Sequence, residues 1–266
     1  MELLVLFDTR PLYVMGDLHG QMHKLVGHLR SARLINDSYE WIGEEKRLWF
    51  LGDYFDRGPD GLDVISLIMH LQTESGNSGG EVGALLGNHD VLILAAKRFA
   101  DDPYLGSEFL GDWIENGGVA DDLRGLTPEH EKWLSQLQSL ALADDILLAH
   151  ADSDFYLSYG NDINSINNAI HGVLSSAAPN LWRQLLNSFA SRHAFDESKP
   201  GGAKRALRFL GLFRATRLVH GHTPIDKVTH VPPSEVTGPY VYANGVCTNV
   251  DGGMYRGGPG FIYRMR

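Results

Sequence analysis

The sequence predicts an α/β fold on three observations. Short apolar runs alternate with longer stretches of helical spacing, the pattern of strands and helices packed in layers. Most of these runs stop at a glycine followed by a polar residue, where a buried strand would turn out toward solvent. The 266 residues are 43% hydrophobic and 21% charged, enough to fill a large core without staples and far from the composition of disorder.

In chain order, Leu12–Met15 reads as a buried strand that ends in Gly16-Asp17. Residues 21–33 follow with Leu25, Val26 and Leu29 on one helical face. Arg47–Leu51 is a second strand, again ending in Gly-Asp, and Pro59 opens a helix through Leu71. Gly76-Asn-Ser-Gly-Gly80 reads as a flexible connector, and residues 81–86 as a third strand ending in Gly87-Asn88-His89-Asp90. Residues from about 91 to 139 read as helical, with Thr127-Pro128-Glu129 as a cap, an N1 proline and an early acidic residue. Ile146–Ala149 is a fourth strand, ending at His150. Residues 162–215 read as helices broken near Pro179 and at Lys199-Pro-Gly-Gly202, and Leu218-Val219 leads into His220-Gly-His222. The tail from about 227 reads as short strands. With no repeat and no boundary signal, the expectation is one domain, 1–266, with a helical elaboration at about 91–140.

Composition excludes some classes. The apolar run Leu3–Phe7 is too short for a secretory signal, and no run approaches the roughly 20 residues of a membrane span. A single cysteine, Cys247, excludes an internal disulfide and suits a reducing compartment, so a cytoplasmic protein without a membrane partner is expected. The formal charge of −10 argues against a nucleic-acid polymer as partner, because phosphate backbones are held by clustered Lys and Arg.

The polar residues of interest sit where strands end: Gly16-Asp17-Leu18-His19-Gly20, Gly52-Asp53-Tyr54-Phe55-Asp56-Arg57-Gly58, Gly87-Asn88-His89-Asp90, His150-Ala151-Asp152 and Gly221-His222-Thr223. Open α/β sheets bind ligands beyond the carboxyl ends of their strands, so these five turns can share one cleft. Their Asp, His and Asn side chains form a mixed O/N donor set suited to borderline divalent metals.

In this order the turns resemble the motif series of the calcineurin-like metallophosphoesterases, and GDYFDRG resembles its phosphoprotein phosphatase branch. The resemblance runs from about residue 12 to the C-terminus. It implies a four-layer fold, a central β-sandwich flanked by helices, with a dinuclear site at the strand C-terminal ends. By resemblance, Asp17 and His19 bind the first metal, Asp53 bridges both, and Asn88, His150 and His222 complete the second. The cofactors would be two divalent ions, manganese first, with iron and zinc as alternatives. Such ions share one water and lower its pKa, so that a bridging hydroxide attacks phosphorus. The resemblance makes His89 the general acid, oriented by Asp56, and gives Arg57 and Asn88 to the phosphate oxygens. It also implies a second phosphate arginine between the fourth and fifth motifs: Arg192 is favoured, with Arg183 the rival.

Three positions depart from the family pattern. His150 is followed by Ala-Asp rather than two glycines or Ala-Gly, Asp90 stands where eukaryotic protein phosphatases have Glu, and the tail Asn249-Val-Asp-Gly-Gly-Met-Tyr255 is unlike the eukaryotic one. His220 matches an apolar family position and reads as structural; Asp152 and Asp154 read as loop carboxylates, and Trp113, Trp133 and Trp182 as core. Rival chemistries fail on the residues. Six positions after Cys247 stands Gly253, not the arginine of a cysteine phosphatase, and none of the seven lysines follows a glycine as a P-loop requires. The expected activity is hydrolysis of phosphate monoesters, on a Ser/Thr or Tyr phosphoprotein or a small phosphoester. Symmetrical cleavage of dinucleoside tetraphosphates is the enzymatic alternative, and a non-catalytic metal-binding scaffold the alternative of another class.

Overall fold

Four-residue strands cannot hold themselves; what fixes them here is alternation between two apolar environments. In β1 (Leu12–Met15), Leu12 and Val14 face a core shared with Leu148, Val219 and Phe261, while Tyr13 and Met15 face the helices. The computed structural model describes residues 8–102, 104–198 and 200–265, so the run Leu3–Phe7 and the Lys199 of the second break lie outside the described residues. β1 pairs in parallel with β2 (Arg47–Phe50), β2 pairs in parallel with β3 (Glu81–Ala84), and β9 (Tyr263–Arg264) lies antiparallel on the other side of β1. The second sheet has the order β4-β5-β6-β8-β7, from Leu140–Ala143, Ile146–Ala149, Arg217–His220, Cys247–Asn249 and Tyr240–Tyr242. β5, β6 and β8 are parallel and the two edge strands antiparallel.

Leu12, Val14, Trp49 and Leu51 of the first sheet meet Ala141, Ile146, Leu148 and Val219 of the second in one buried cluster. The two sheets therefore stack as a sandwich, and helices cover the outer faces. Helices α1 (Met22–Ser31) and α2 (Gly61–Asn77) pack with the first sheet. Helix α3 (Asn88–Arg98), buried nearly throughout, begins at the third turn and is followed by α4 (Leu105–Glu115), α5 (Ala120–Gly125) and α6 (Pro128–Ser135). Helices α7 (Ile163–Ser175), α8 (Pro179–Phe189) and α9 (Gly202–Leu212) precede β6, and a short α10 (Ile225–Thr229) follows it. No helix of the described residues is long and apolar enough to cross a membrane.

Three elements differ from the sequence expectation. β4 falls just past the stretch read as helical: Leu-Ala-Leu-Ala suits either state, and antiparallel pairing with β5 across Asp144-Asp145 decides it. Asp144 takes the left-handed conformation (φ +60°) that such a tight turn needs. Helix α2 runs on to Asn77, through part of the expected connector, and α10 interrupts a tail read as strands. The cap at Thr127 is formed, its hydroxyl accepting from His130 N at 3.3 Å.

Helix α2 is capped from a distance. Its own Asp60 makes no side-chain cap; Asp122 of α5 instead accepts from Leu62 N at 3.2 Å, while its other carboxylate oxygen is buried without a hydrogen-bond partner among the described residues. Burial pushes the Asp122 carboxyl up to about 7. With the folded pKa above the unfolded one, folding takes up a proton between the two, so this residue's contribution to stability falls as pH rises toward and through 7. Asp122→Ala should therefore lower stability at pH 5 by about 1 kcal/mol, the usual size of a lost cap. Urea unfolding should show the deficit shrinking at pH 8; a larger deficit at pH 8 would contradict this account.

Candidate active site

The site is assembled at the carboxyl ends of five strands, three from the first sheet and two from the second. β1 delivers Asp17 and His19, β2 delivers Asp53, Asp56 and Arg57, and β3 delivers Asn88 and His89; β5 delivers His150, and β6 His222. Asp17, His19, Asp53, Asp56, His89, His150 and His222 are all buried. The turns are strained to bring them together: His19, Asp53, Asp56, Arg57 and His222 have φ between +43° and +69°, a region that non-glycine residues seldom occupy. Two glycines allow the close approach. Gly52 has φ +101° and a Cβ there would lie 2.5 Å from Gly87 N, while a Cβ on Gly221 would collide with Asp17 Oδ1.

Hydrogen bonds hold the strained turns. Leu18 N and His19 N donate to Asp53 O at 3.0 and 2.9 Å, and Gly20 N to Tyr54 O at 2.8 Å. The buried Asp90 carboxylate accepts from Asp53 N (2.9 Å), Gly87 N (2.8 Å) and Tyr54 N (3.0 Å), locking the second turn to the third. Asp17 Oδ1 accepts from His222 N across the sheets at 2.8 Å, and Asp53 Oδ1 accepts from His89 N at 2.9 Å.

Asp53 sits between two imidazole groups. His19 Nε2 lies 3.7 Å from its Oδ2 and 3.9 Å from Asp17 Oδ2; His150 Nε2 lies 3.4 Å from its Oδ1. His19, Asp53 and His89 form one group of converging donor atoms, and Asp53, His150 and His222 another. Asn88 Oδ1 and His222 Nδ1 stand 3.0 and 3.1 Å from His150 Nε2. The tautomers follow from the backbone: His19 Nδ1 donates to Phe55 O (2.7 Å) and His150 Nδ1 to Leu51 O (2.8 Å), so both Nε2 lone pairs face the carboxylates.

This donor set fits divalent cations. His150 Nε2 is an acceptor, yet it faces two further acceptors, Asn88 Oδ1 at 3.0 Å and His222 Nδ1 at 3.1 Å. Burial above all keeps His19, His89 and His222 well below the usual histidine range and His150 at about 3, so their lone pairs are free at neutral pH. Burial and then the charge of Asp251 raise Asp17 well above the carboxylate range; burial and then Asp90 do the same for Asp53. Buried carboxylates crowded in this way need compensating positive charge.

Beside these groups stands a dyad. His89 Nδ1 is 2.6 Å from Asp56 Oδ2, and Asp56 Oδ1 accepts from Trp113 Nε1 at 2.8 Å. Burial raises Asp56 to about 7, opposed by the Trp113 hydrogen bond and the Arg57 charge. Arg57 Nη1 and Nη2 donate to His19 Nε2 (2.7 Å) and His89 Nε2 (2.8 Å), its guanidinium stacks 4.3 Å from the Tyr255 ring centre, and its amide donates to Gly117 O at 2.7 Å. Lys24 Nζ fixes the Tyr255 loop through Met254 O and Gly258 O at 2.6 and 2.8 Å.

The two candidate arginines part company. Arg183 turns to α4, ion-paired with Asp112 and Glu108 and lying over Phe109. Arg192 is exposed on the loop after α8, and its charge reaches His89, His150 and His222, lowering each. His220 packs against Tyr242, its Nε2 2.8 Å from the hydroxyl. Asp90, a departure from the family pattern, braces the second turn, Trp113, a core residue by sequence, also holds Asp56, and Tyr255 stacks on Arg57; none of these roles is expected from the sequence. Only the position of Asp90, beside His89, offered a signal. Gly76-Asn-Ser-Gly-Gly80 also has the Gly-x-Ser-x-Gly spacing of a nucleophile elbow, but Ser78 ends a helix rather than a strand and its hydroxyl donates to Ser75 O.

Residues 10–226 match the family model described as calcineurin-like phosphoesterase. The Shewanella-like protein phosphatase 1 of Plasmodium berghei is 35% identical over 157 residues, 58% of this chain and 42% of that protein. The symmetrical bis(5'-nucleosyl)-tetraphosphatase of Erwinia tasmaniensis is 36% identical over 142 residues, 52% of this chain and 43% of that protein. The chain thus spans under half the length of these two relatives. The cold-active protein-tyrosine phosphatase of a psychrophilic Shewanella superposes with a TM-score of 0.73 at 21% identity, over 96% of this chain and 75% of that one, a likeness of fold.

Because Asp90 satisfies three amides at once, its removal should cost on the order of 3 kcal/mol or more. Asp90→Asn should be nearly as harmful as Asp90→Ala, since an amide NH₂ would face one of the N–H groups. Urea unfolding of both variants checks this, and an Asp90→Asn protein as stable as the parent would refute it.

Proposed function

The chain belongs to the calcineurin-like phosphoesterase family, and on that premise we propose that it is a metal-dependent hydrolase of phosphate monoesters, with serine/threonine or tyrosine phosphoprotein as the first substrate class. One observation carries the reading: Asp53 stands between two sets of imidazole nitrogens, and an intact His89–Asp56 dyad with Arg57 lies against one of them. In this reading Asp17, His19 and Asp53 hold one cation, and Asp53, Asn88, His150 and His222 the other, within a single domain whose helices α3–α6 elaborate it. Two divalent cations, when bound, neutralise the phosphate and acidify the attacking water; manganese is the first candidate, ahead of iron and zinc.

The chain's own residues supply the rest. Arg57 and Asn88 grip phosphate oxygens, and Arg192 approaches the same group from the far loop. His89 is neutral in the free site; a phosphate dianion bound beside it raises its proton affinity, so that Nε2 takes up a proton and gives it to the leaving oxygen, while its Nδ1–H stays on Asp56, which offsets the charge of the imidazolium. Trp113 keeps Asp56 facing this task. The phosphoprotein reading rests on GDYFDRG and on the relative named as a protein phosphatase. Dinucleoside tetraphosphates are the second reading, favoured by the relative named as a symmetrical tetraphosphatase. The composition and the single cysteine favour a cytoplasmic setting.

Metal-stripped protein given Mn²⁺ should regain hydrolysis of para-nitrophenyl phosphate, and Asp53→Asn should not. If neither turns over while metal binds, the scaffold reading takes its place. Activity on phosphopeptide but not on diadenosine tetraphosphate would separate the two substrate readings. His89→Asn should cost on the order of 100-fold on alkyl phosphates and much less on the para-nitrophenyl ester, whose leaving group needs little protonation. Equal losses on both esters would remove His89 from the acid role.

A further inference from the structure

Asp152 stands two residues past His150, is 3% exposed, and belongs to neither group of converging donor atoms. It grips a loop instead. Its Oδ1 accepts from His193 N at 2.9 Å, and its backbone oxygen accepts from Ala194 N at 3.0 Å, so one residue holds two successive amides. The other carboxylate oxygen accepts from the Tyr242 hydroxyl at 3.0 Å, and that hydroxyl is held in turn by His220 Nε2 at 2.8 Å.

The gripped loop is strained where it is gripped. His193 has φ +63°, a left-handed conformation that a non-glycine residue seldom adopts and that persists only where its surroundings impose it. Phe195, fully buried, anchors the far end. Arg192 is the residue just before this strained point. Among the described residues its side chain makes one hydrogen bond, a long 3.4 Å contact from Nε to Ala190 O, so its direction is left to the backbone that carries it.

We propose that Asp152 is a positioning residue for Arg192: by holding the amides of His193 and Ala194 in the left-handed turn, it aims the Arg192 guanidinium at the mouth of the cleft. The inference rests on the reading of Arg192 as a phosphate ligand. A glycine at 152 would leave the His193 amide without its acceptor and the turn without support. That accounts for a carboxylate beside β5 that reaches no converging donor group. His220 and Tyr242 complete the chain by fixing the carboxylate from behind.

The test uses the full chain loaded with Mn²⁺ and para-nitrophenyl phosphate, with metal content and amide hydrogen exchange as independent readouts. Arg192→Ala should lower kcat/KM on the order of 10- to 100-fold, and Asp152→Ala by a similar factor, because misplacing a gripping group costs about as much as losing it. The double variant should be no worse than either single one, metal content should match the parent, and exchange should quicken at amide 193, whose acceptor is lost, in Asp152→Ala. Asp152→Asn should recover to within about threefold, since its amide oxygen can still accept from His193 and its NH₂ can donate to Tyr242. Additive losses, an Asp152→Ala protein at the parent rate, or an Asp152→Asn protein as poor as Asp152→Ala with amide 193 still protected would each overturn the proposal. If Arg192→Ala is unimpaired while exchange quickens in Asp152→Ala, the grip exists but the phosphate reading of Arg192 fails, and the proposal with it. Should Asp152→Ala not fold, Tyr242→Phe loosens the same carboxylate; a loss that adds to that of Arg192→Ala would again refute the positioning role.

Discussion

The structure depends on one buried carboxylate with three amides. Asp90 joins Gly87, at the end of β3, to Asp53 and Tyr54, at the end of β2. Without it, two neighbouring strand ends would each carry unpaired N–H groups in a dry interior, and the left-handed turn at Asp53 would lose the bond to its amide. Everything at the site is referred to Asp53: the amides of Leu18 and His19 bond its carbonyl, the amide of His89 bonds its carboxylate, and imidazoles face both of its oxygens. Asp90 is buried to support a neighbour, and that neighbour is the centre of the cleft.

The sandwich makes this possible by bringing strand ends of two sheets together. Asp17 Oδ1 reaches across to the amide of His222, so the first sheet fixes the last histidine that the second brings to the cleft. The aliphatic layer between the sheets, from Leu12 and Val14 to Leu148 and Val219, sets the spacing at which this bond can form. Packing and polar chemistry are thus coupled: a change of side-chain volume between the sheets would be felt at the cleft as a change of distance.

Much of this was legible in the sequence, for physical reasons. A buried parallel strand has to end in a sharp turn, and glycine followed by a polar residue marks that turn, so Asp17, Asp53, Asn88, His89, His150 and His222 could be located before any fold was seen. The strand Leu140–Ala143 could not, because its four residues suit a helix equally and only pairing with Ile146–Ala149 decides between them. Asp90 and Trp113 escaped because their roles lie in hydrogen bonds to distant backbone and side chains, which no local pattern records. Sequence favours Arg192 over Arg183 by position alone; the carboxylates of Asp112 and Glu108, which occupy Arg183, come into play only once α4 and α8 are packed.

The helical segment that follows the third turn looks like a decoration on the sandwich, yet one atom of α4 and one of the link between α4 and α5 are wired into its chemistry. The Trp113 indole N–H bears on Asp56, and the Gly117 carbonyl holds the amide of Arg57. A segment with such ties is not exchangeable cargo. A chimera that replaced it with another helical hairpin, however well packed, would inherit a dyad with an altered proton affinity and an arginine turn cut from its mooring. Divergence in this part of the chain is therefore free in its outer surface and constrained at one indole nitrogen and one backbone oxygen.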